Sequence, residues 1–256
     1  MFRGRANKGA ASGAGELRTG LARAISKLGH CSRAQAAELV RSGQVQLNGH
    51  VRCDPETPVR FGRDRIQISG REIRPVVKSY WMLNKPRGVV TTASDERGRE
   101  TVYAYLPQGV PWLAPVGRLD KASEGLLLLT NDSVWAARIT SPEQHVDKTY
   151  HVQIGAIADA ALIERLRNGV RGPTGEILRV KNVDILRQGE TNSWLEIGLD
   201  EGKNRHIRRM FEALGIDILR LVRVAIGRLQ LGTLPKGKCR ELAPEEIRAL
   251  SAGFRC

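Results

Sequence analysis

Gly117-Arg118-Leu119-Asp120-Lys121-Ala122-Ser123-Glu124-Gly125-Leu126-Leu127-Leu128-Leu129-Thr130-Asn131-Asp132 passes from a short polar loop straight into a continuous apolar run. Such a run, bounded by polar residues, reads as a buried strand. Asp120 then sits in the loop before it, at the rim of a core, where geometry is fixed and fields are strong. Arg118, two residues away, can pair with that carboxylate or with a phosphate. Taken alone, Asp120 also reads as a turn aspartate paired with Arg118 or Lys121.

Outward from this stretch, residues 80–83, 89–92, 150–154, 194–199, 219–224 and 229–231 read as strands by their β-branched, aromatic and apolar content. Residues 159–168 and 204–214 read as helices. Strands outnumber helices and do not alternate with them regularly. That pattern predicts an α+β fold with a mixed or antiparallel sheet over 79–256, and argues against a doubly wound one. The sequence contains no G-x-G-x-x-G and no phosphate-binding P-loop, so no nucleotide cofactor is expected.

A second polar constellation is Glu201-Gly202-Lys203-Asn204-Arg205-His206-Ile207-Arg208-Arg209-Met210-Phe211. Asn204 is a candidate N-cap. Ile207, Met210, Phe211 and Leu214 form an apolar stripe, with Arg208 on its flank and Arg205 and Arg209 pointing away at about 100° per residue. Arg208 is the arginine placed to enter a pocket beside the core, and Arg205 and Arg209 suit phosphates. A solvated basic helix face is the plain alternative.

Residues 1–18 are rich in Gly, Ala and Arg without periodicity and read as a flexible basic tail. Residues 19–78 read as a small separate module. Leu21, Ala24, Ile25 and Leu28 mark an amphipathic helix that Gly29 ends. Ser32 with Gln35 is a capping box opening a second helix, with Ala36, Leu39 and Val40 buried and Gly43 after its end. Val45 and Leu47 alternate as a strand, Asn48-Gly49 signals a two-residue hairpin, and Ile66 and Ile68 alternate again. Arg23, Lys27, Arg33 and Arg41 lie mostly off the apolar stripes, a basic face of the kind that binds phosphates.

Lys and Arg number 41 against 27 Asp and Glu, a net charge of +14. Residues 1–78 carry 15 basic and 6 acidic side chains, net +9, so the amino-terminal third is the stronger electrostatic footprint. A polyanionic partner fits, nucleic acid or an anionic membrane surface. No apolar run approaches the roughly 18 residues of a membrane span, and the amino terminus has no signal-like apolar stretch, so the cytoplasm is expected. Cys31, Cys53, Cys239 and Cys256 show no C-x-x-C spacing, and free thiols with no metal are expected.

Two resemblances sharpen this. Leu28-Gly29-His30-Cys31-Ser32-Arg33, residues 36–39 and residues 43–51 resemble the S4-like RNA-binding domain first described in a small-subunit ribosomal protein. Tyr80-Trp81-Met82-Leu83-Asn84-Lys85-Pro86-Arg87-Gly88, the Gly117 loop, Lys148-Thr149-Tyr150, the Gly202 helix and Leu219-Arg220-Leu221-Val222-Arg223-Val224-Ala225-Ile226-Gly227 resemble, in order, the pseudouridine synthase family that modifies bacterial ribosomal RNA.

The second resemblance implies that Asp120 is the catalytic aspartate, acting on uridine while the glycosidic bond breaks and the base rejoins the sugar through carbon. It implies that Arg208 is the basic partner keeping that carboxylate charged. Tyr150 would stack on the flipped base and supply a hydroxyl, and Leu221 would pack the pocket. Arg118 would hold the extruded nucleotide's place in the RNA. Arg205 and Arg209 remain substrate-binding candidates. An isomerisation needs no cofactor, ribosomal RNA is the expected partner, and a monomer is the default. Two other readings compete. One is a non-catalytic structured-RNA or ribosome-binding protein. The other is a nucleoside or glycoside hydrolase pairing Asp120 with Glu124, a spacing that brings two carboxylates together only on a helix.

Overall fold

The computed structural model describes residues 18–93, 95, 97–200 and 203–252. Its contacts divide the chain into two compact units, Met1–Pro75 and Val76–Cys256. The tail expected over 1–18 lies outside the described residues, except for Arg18, which begins a strand. Cys256 also lies outside them.

The first unit runs β1 (Arg18–Gly20), α1 (Leu21–Lys27), α2 (Arg33–Arg41), β2 (Val45–Leu47), β3 (His50–Val51), β4 (Pro58–Arg60), β5 (Ile66–Ile68) and β6 (Arg71–Glu72). β1 pairs with β4, and the others form an antiparallel sheet in the order β3-β2-β5-β6. The capping box is complete: Gln35 N–H donates to Ser32 Oγ, and Ser32 N–H donates to Gln35 Oε1. Asn48 and Gly49 both take positive φ, 54° and 82°, the backbone a two-residue hairpin requires. Leu21, Ile25, Ala36, Val40, Val45, Leu47 and Ile66 fill one core. Arg23, Lys27, Arg33 and Arg41 are all exposed.

The second unit runs β7 (Tyr80–Lys85), β8 (Ala114–Val116), β9 (Glu124–Thr130), α3 (Ser133–Thr140), β10 (Lys148–Ile154), α4 (Ala160–Asn168), β11 (Val170–Arg171), β12 (Ile177–Leu178), β13 (Asn182–Gln188), β14 (Ser193–Leu199), α5 (His206–Ala213), β15 (Ile218–Ile226), β16 (Leu229–Gln230), β17 (Cys239–Glu241) and α6 (Pro244–Ser251). A nine-stranded sheet in the order β13-β14-β10-β15-β9-β7-β17, with β16 beside β15 and β8 beside β9, forms its backbone. β9 and β15 pair in parallel, and the other pairs are antiparallel. The class is therefore α+β with a mixed sheet.

β9 is buried along its whole length. Leu126 and Leu128 pack with Trp135 and Ile139 of α3 and Leu250 of α6, while Leu127 and Leu129 pack the opposite face with Leu83, Val102 and Leu113. A third cluster lies between β10, β14 and β15 and helices α4 and α5. Gly125 makes the parallel pairing possible. Its φ is +100°, and a Cβ there would fall 2.3 Å from the Arg223 carbonyl oxygen. Gly125→Ala is expected to cost roughly 3 kcal/mol or more through strain and strand separation, read as a large drop in thermal midpoint.

Residues 89–92 depart from expectation. Val89 and Val90 are buried, but Val90 makes only an isolated bridge to Thr101, and the segment packs against the core as a loop. Gly88, with φ +95°, turns the chain away after β7. The first turn of α5 also differs. Arg205, not Asn204, is the N-cap, in the left-handed region with φ 49° and no side-chain capping bond. Among the described residues, no helix is long and apolar enough to cross a membrane.

Candidate active site

Asp120 lies in the loop between β8 and β9, and its backbone is fastened on several sides. Lys85, at the end of β7, is completely buried. Its ammonium donates to the carbonyls of Asp120 (3.1 Å), Ser123 (2.9 Å) and Pro86 (3.1 Å). Burial pushes the Lys85 pKa down to about 8, and the nearby Asp120 and Glu124 carboxylates oppose that shift. Gly88 N–H donates to the Lys121 carbonyl at 2.8 Å, and Thr91 Oγ1 to the Leu119 carbonyl at 2.9 Å. Arg208 Nη2 reaches the Ala122 carbonyl at 3.1 Å and Ser123 Oγ at 3.3 Å.

Sequence reasoning assigned Lys85 no role. The available signal was a lysine closing an otherwise apolar strand, directly before Pro86. Lys85→Met is expected to orphan three carbonyls and cost about 2–3 kcal/mol, read from urea unfolding.

The carboxylate of Asp120 is partly exposed. Arg208 Nε stands 3.6 Å from its Oδ2, and Arg205 Nη1 stands 3.9 Å away. Arg208 is the more enclosed of the two, its side chain 15% exposed against 50% for Arg205. Desolvation lowers the Arg208 pKa, with Arg205 and Arg87 acting in the same direction and Asp120 against them. Among the described residues, the ion pairs of Asp120 are with Arg205 and Arg208, and not with Arg118 or Lys121.

Asp120 opens on a cavity of about 300 Å³. Tyr150 from β10, Leu221 from β15, Arg118 at the exposed rim, and Arg205 and Arg208 all line it. Arg209 does not. Its guanidinium is paired with Glu176 and also donates to the Asn204 carbonyl at 3.3 Å. The outward placement expected for Arg205 and Arg209 is thus corrected. Arg205 precedes the helix, so helical periodicity does not govern it, and its left-handed backbone leaves the guanidinium over the pocket. Arg209 is drawn to a carboxylate distant in sequence. Glu124, only 3% exposed, is held by Arg220 at 3.3 Å and Lys236 at 2.5 Å on the strand β9, so it is not a second carboxylate facing Asp120.

A partly exposed carboxylate beside two guanidiniums thus shares one basic pocket with the Tyr150 ring. Residues 79–213 match the family described as RNA pseudouridylate synthase, and residues 19–66 match the S4 domain. Ribosomal large subunit pseudouridine synthase B of Bacillus subtilis is 35% identical over 91% of this chain and 95% of its own length. An uncharacterized RNA pseudouridine synthase of Rickettsia bellii is 38% identical over 87% of this chain and 96% of its own. A crystal structure of a pseudouridylate synthase superposes with a TM-score of 0.63 at 30% identity, covering 91% of this chain and 99% of that one. The chain belongs to the RNA pseudouridylate synthase family. It is an isomerase that carries an S4 RNA-binding domain at its amino-terminal end.

Proposed function

We propose that the protein converts one uridine of large-subunit ribosomal RNA to pseudouridine, with Asp120 as the catalytic carboxylate. The observation that carries this reading is the Asp120 carboxylate, held on a backbone-clamped loop 3.6 Å from the half-buried Arg208, at a pocket walled by Tyr150 and Leu221. The name of the Bacillus subtilis relative supplies the ribosomal substrate.

In the reaction the N1–C1′ bond breaks, the uracil turns, and C5 bonds to C1′. The C5 proton leaves, and N1 gains one. No group or electron is transferred, so the chain's own residues suffice. Asp120 acts at the sugar or base while N1–C1′ is open, with the Arg208 guanidinium beside it as counter-charge. Tyr150 stacks on the extruded base and moves a proton through its hydroxyl. Leu221 packs the base and keeps water out. Arg118 and Arg205 take phosphates at the rim, and the S4 domain adds affinity for structured RNA. The protein works as a monomer in the compartment that holds the ribosomes, the cytoplasm. Mapping pseudouridine across ribosomal RNA from cells with and without the protein tests the reading. Loss of one large-subunit site is expected, and an unchanged map would overturn it.

A further inference from the structure

The wall of the pocket contains two cations, Lys148 and Arg223, that the protein satisfies only in part. Lys148 begins β10, and Arg223 lies on β15 directly across from Tyr150. Strand alternation puts Lys148 on the same face as Tyr150, and Arg223 on the same face as Leu221. A register shift between Thr149 and Tyr150 marks a bulge here, a feature that re-aims side chains. Both residues line the cavity.

Arg223 is 5% exposed. Its Nε donates to the Leu126 carbonyl at 2.7 Å, but its Nη2 has no hydrogen-bond partner. Among the described residues, the Lys148 ammonium has neither a hydrogen bond nor an ion pair, and burial together with the positive charge of Arg223 works against its charged form. Asp147 and Asp200 also act on Lys148, in the opposite sense, but neither forms an ion pair with it: Asp147 Oδ2 pairs with Lys181 at 2.6 Å, and Asp200 faces His145 at 3.9 Å.

Two like charges, one half-buried and one buried, on the same pocket wall and each with a donor lacking an acceptor, are costly to keep unless an anion joins them. We infer that Lys148 and Arg223 form a phosphate subsite in the pocket wall, seating one backbone phosphate of the extruded nucleotide. This rests on reading the pocket as a uridine site. The phosphate supplies the oxygen acceptors that Lys148 Nζ and Arg223 Nη2 lack, and it fixes the sugar relative to Asp120. Flipping then places the nucleotide by its backbone as well as by its base. Arg223 also anchors β15 to β9, so Lys148 is the residue to alter.

The test uses the full-length enzyme and a transcript spanning the mapped uridine, in single-turnover reactions at several salt concentrations. Lys148→Met is expected to raise the half-saturating concentration about tenfold, a larger change than any in the saturated rate. It should also flatten the slope of log affinity against log salt by about 0.7, one phosphate contact on single-stranded RNA. Lys148→Arg should recover most of both. Transcripts with a single neutral methylphosphonate at each flanking position should identify one phosphate whose neutralisation weakens the unaltered enzyme about tenfold but barely affects Lys148→Met. An unchanged half-saturating concentration for Lys148→Met overturns the subsite. So does weaker binding in which every methylphosphonate costs both proteins the same, since Lys148 would then be reading something other than a phosphate. If the unaltered enzyme forms no pseudouridine in ribosomal RNA, the uridine reading falls first and takes this inference with it. If it does, the other outcomes bear on Lys148 alone.

Discussion

Asp120→Asn is expected to lower pseudouridine formation by roughly a thousandfold or more, while RNA affinity stays within a few fold. The amide keeps the shape and the loop. Lys85 and Arg208 grip that loop through the carbonyls of residues 120, 122 and 123 and through Ser123 Oγ, not through the carboxylate alone. The substitution therefore removes charge and nucleophilicity with little change in geometry. Tritium release from C5-labelled uridine gives the rate, and filter binding gives the affinity. Substantial residual turnover would remove Asp120 from the central role.

Arg208→Ala is expected to lower the saturated rate roughly a hundredfold, the scale for losing one preorganised electrostatic partner. Two losses combine. The carboxylate loses the guanidinium at 3.6 Å, and the loop loses its bonds at Ala122 and Ser123. Arg205→Ala should act differently. Its side chain is half exposed and 3.9 Å from Asp120, so it should weaken RNA binding several fold, reduce the salt dependence by about one phosphate, and slow the saturated rate far less. Arg209→Ala should chiefly release Glu176, with little effect on either constant, because Arg209 stands outside the pocket. Saturated single-turnover rates beside binding curves at two salt concentrations separate these results. Equal affinity losses in all three variants with rates preserved would make Arg208 a phosphate contact.

How much of this was legible beforehand depended on how local the determining contacts are. The run 126–129 could be read because four consecutive leucines need cover on both faces, and β9 has it. The Ser32 and Gln35 capping box and the Asn48-Gly49 turn are contained within a few residues, and both stand where the pattern put them. Arg208 could be placed beside the apolar stripe from helical spacing alone. Arg205 could not, because it lies one residue outside the helix. Lys85 was invisible because its acceptors lie 35 and 38 residues away, apart from its neighbour Pro86. β13 escaped notice because it is an edge strand, buried only at Val183, and so lacks the alternation that reveals a half-buried strand.

The parallel pairing of β9 with β15 has a consequence for how the protein comes to life on the ribosome. Asp120 and its loop leave the exit tunnel early. Arg208 follows 86 residues behind its acceptor at Ala122, and Arg223 follows 97 behind its acceptor at Leu126. At bacterial elongation rates of roughly 5–20 residues per second, that is a wait of about 5–20 s. During it, a strand of four leucines lacks its central neighbour and the aspartate lacks its arginine. Non-local pairings of this kind close last. A chain truncated before β15 is therefore expected to keep the S4 domain's affinity for RNA and to form no pseudouridine.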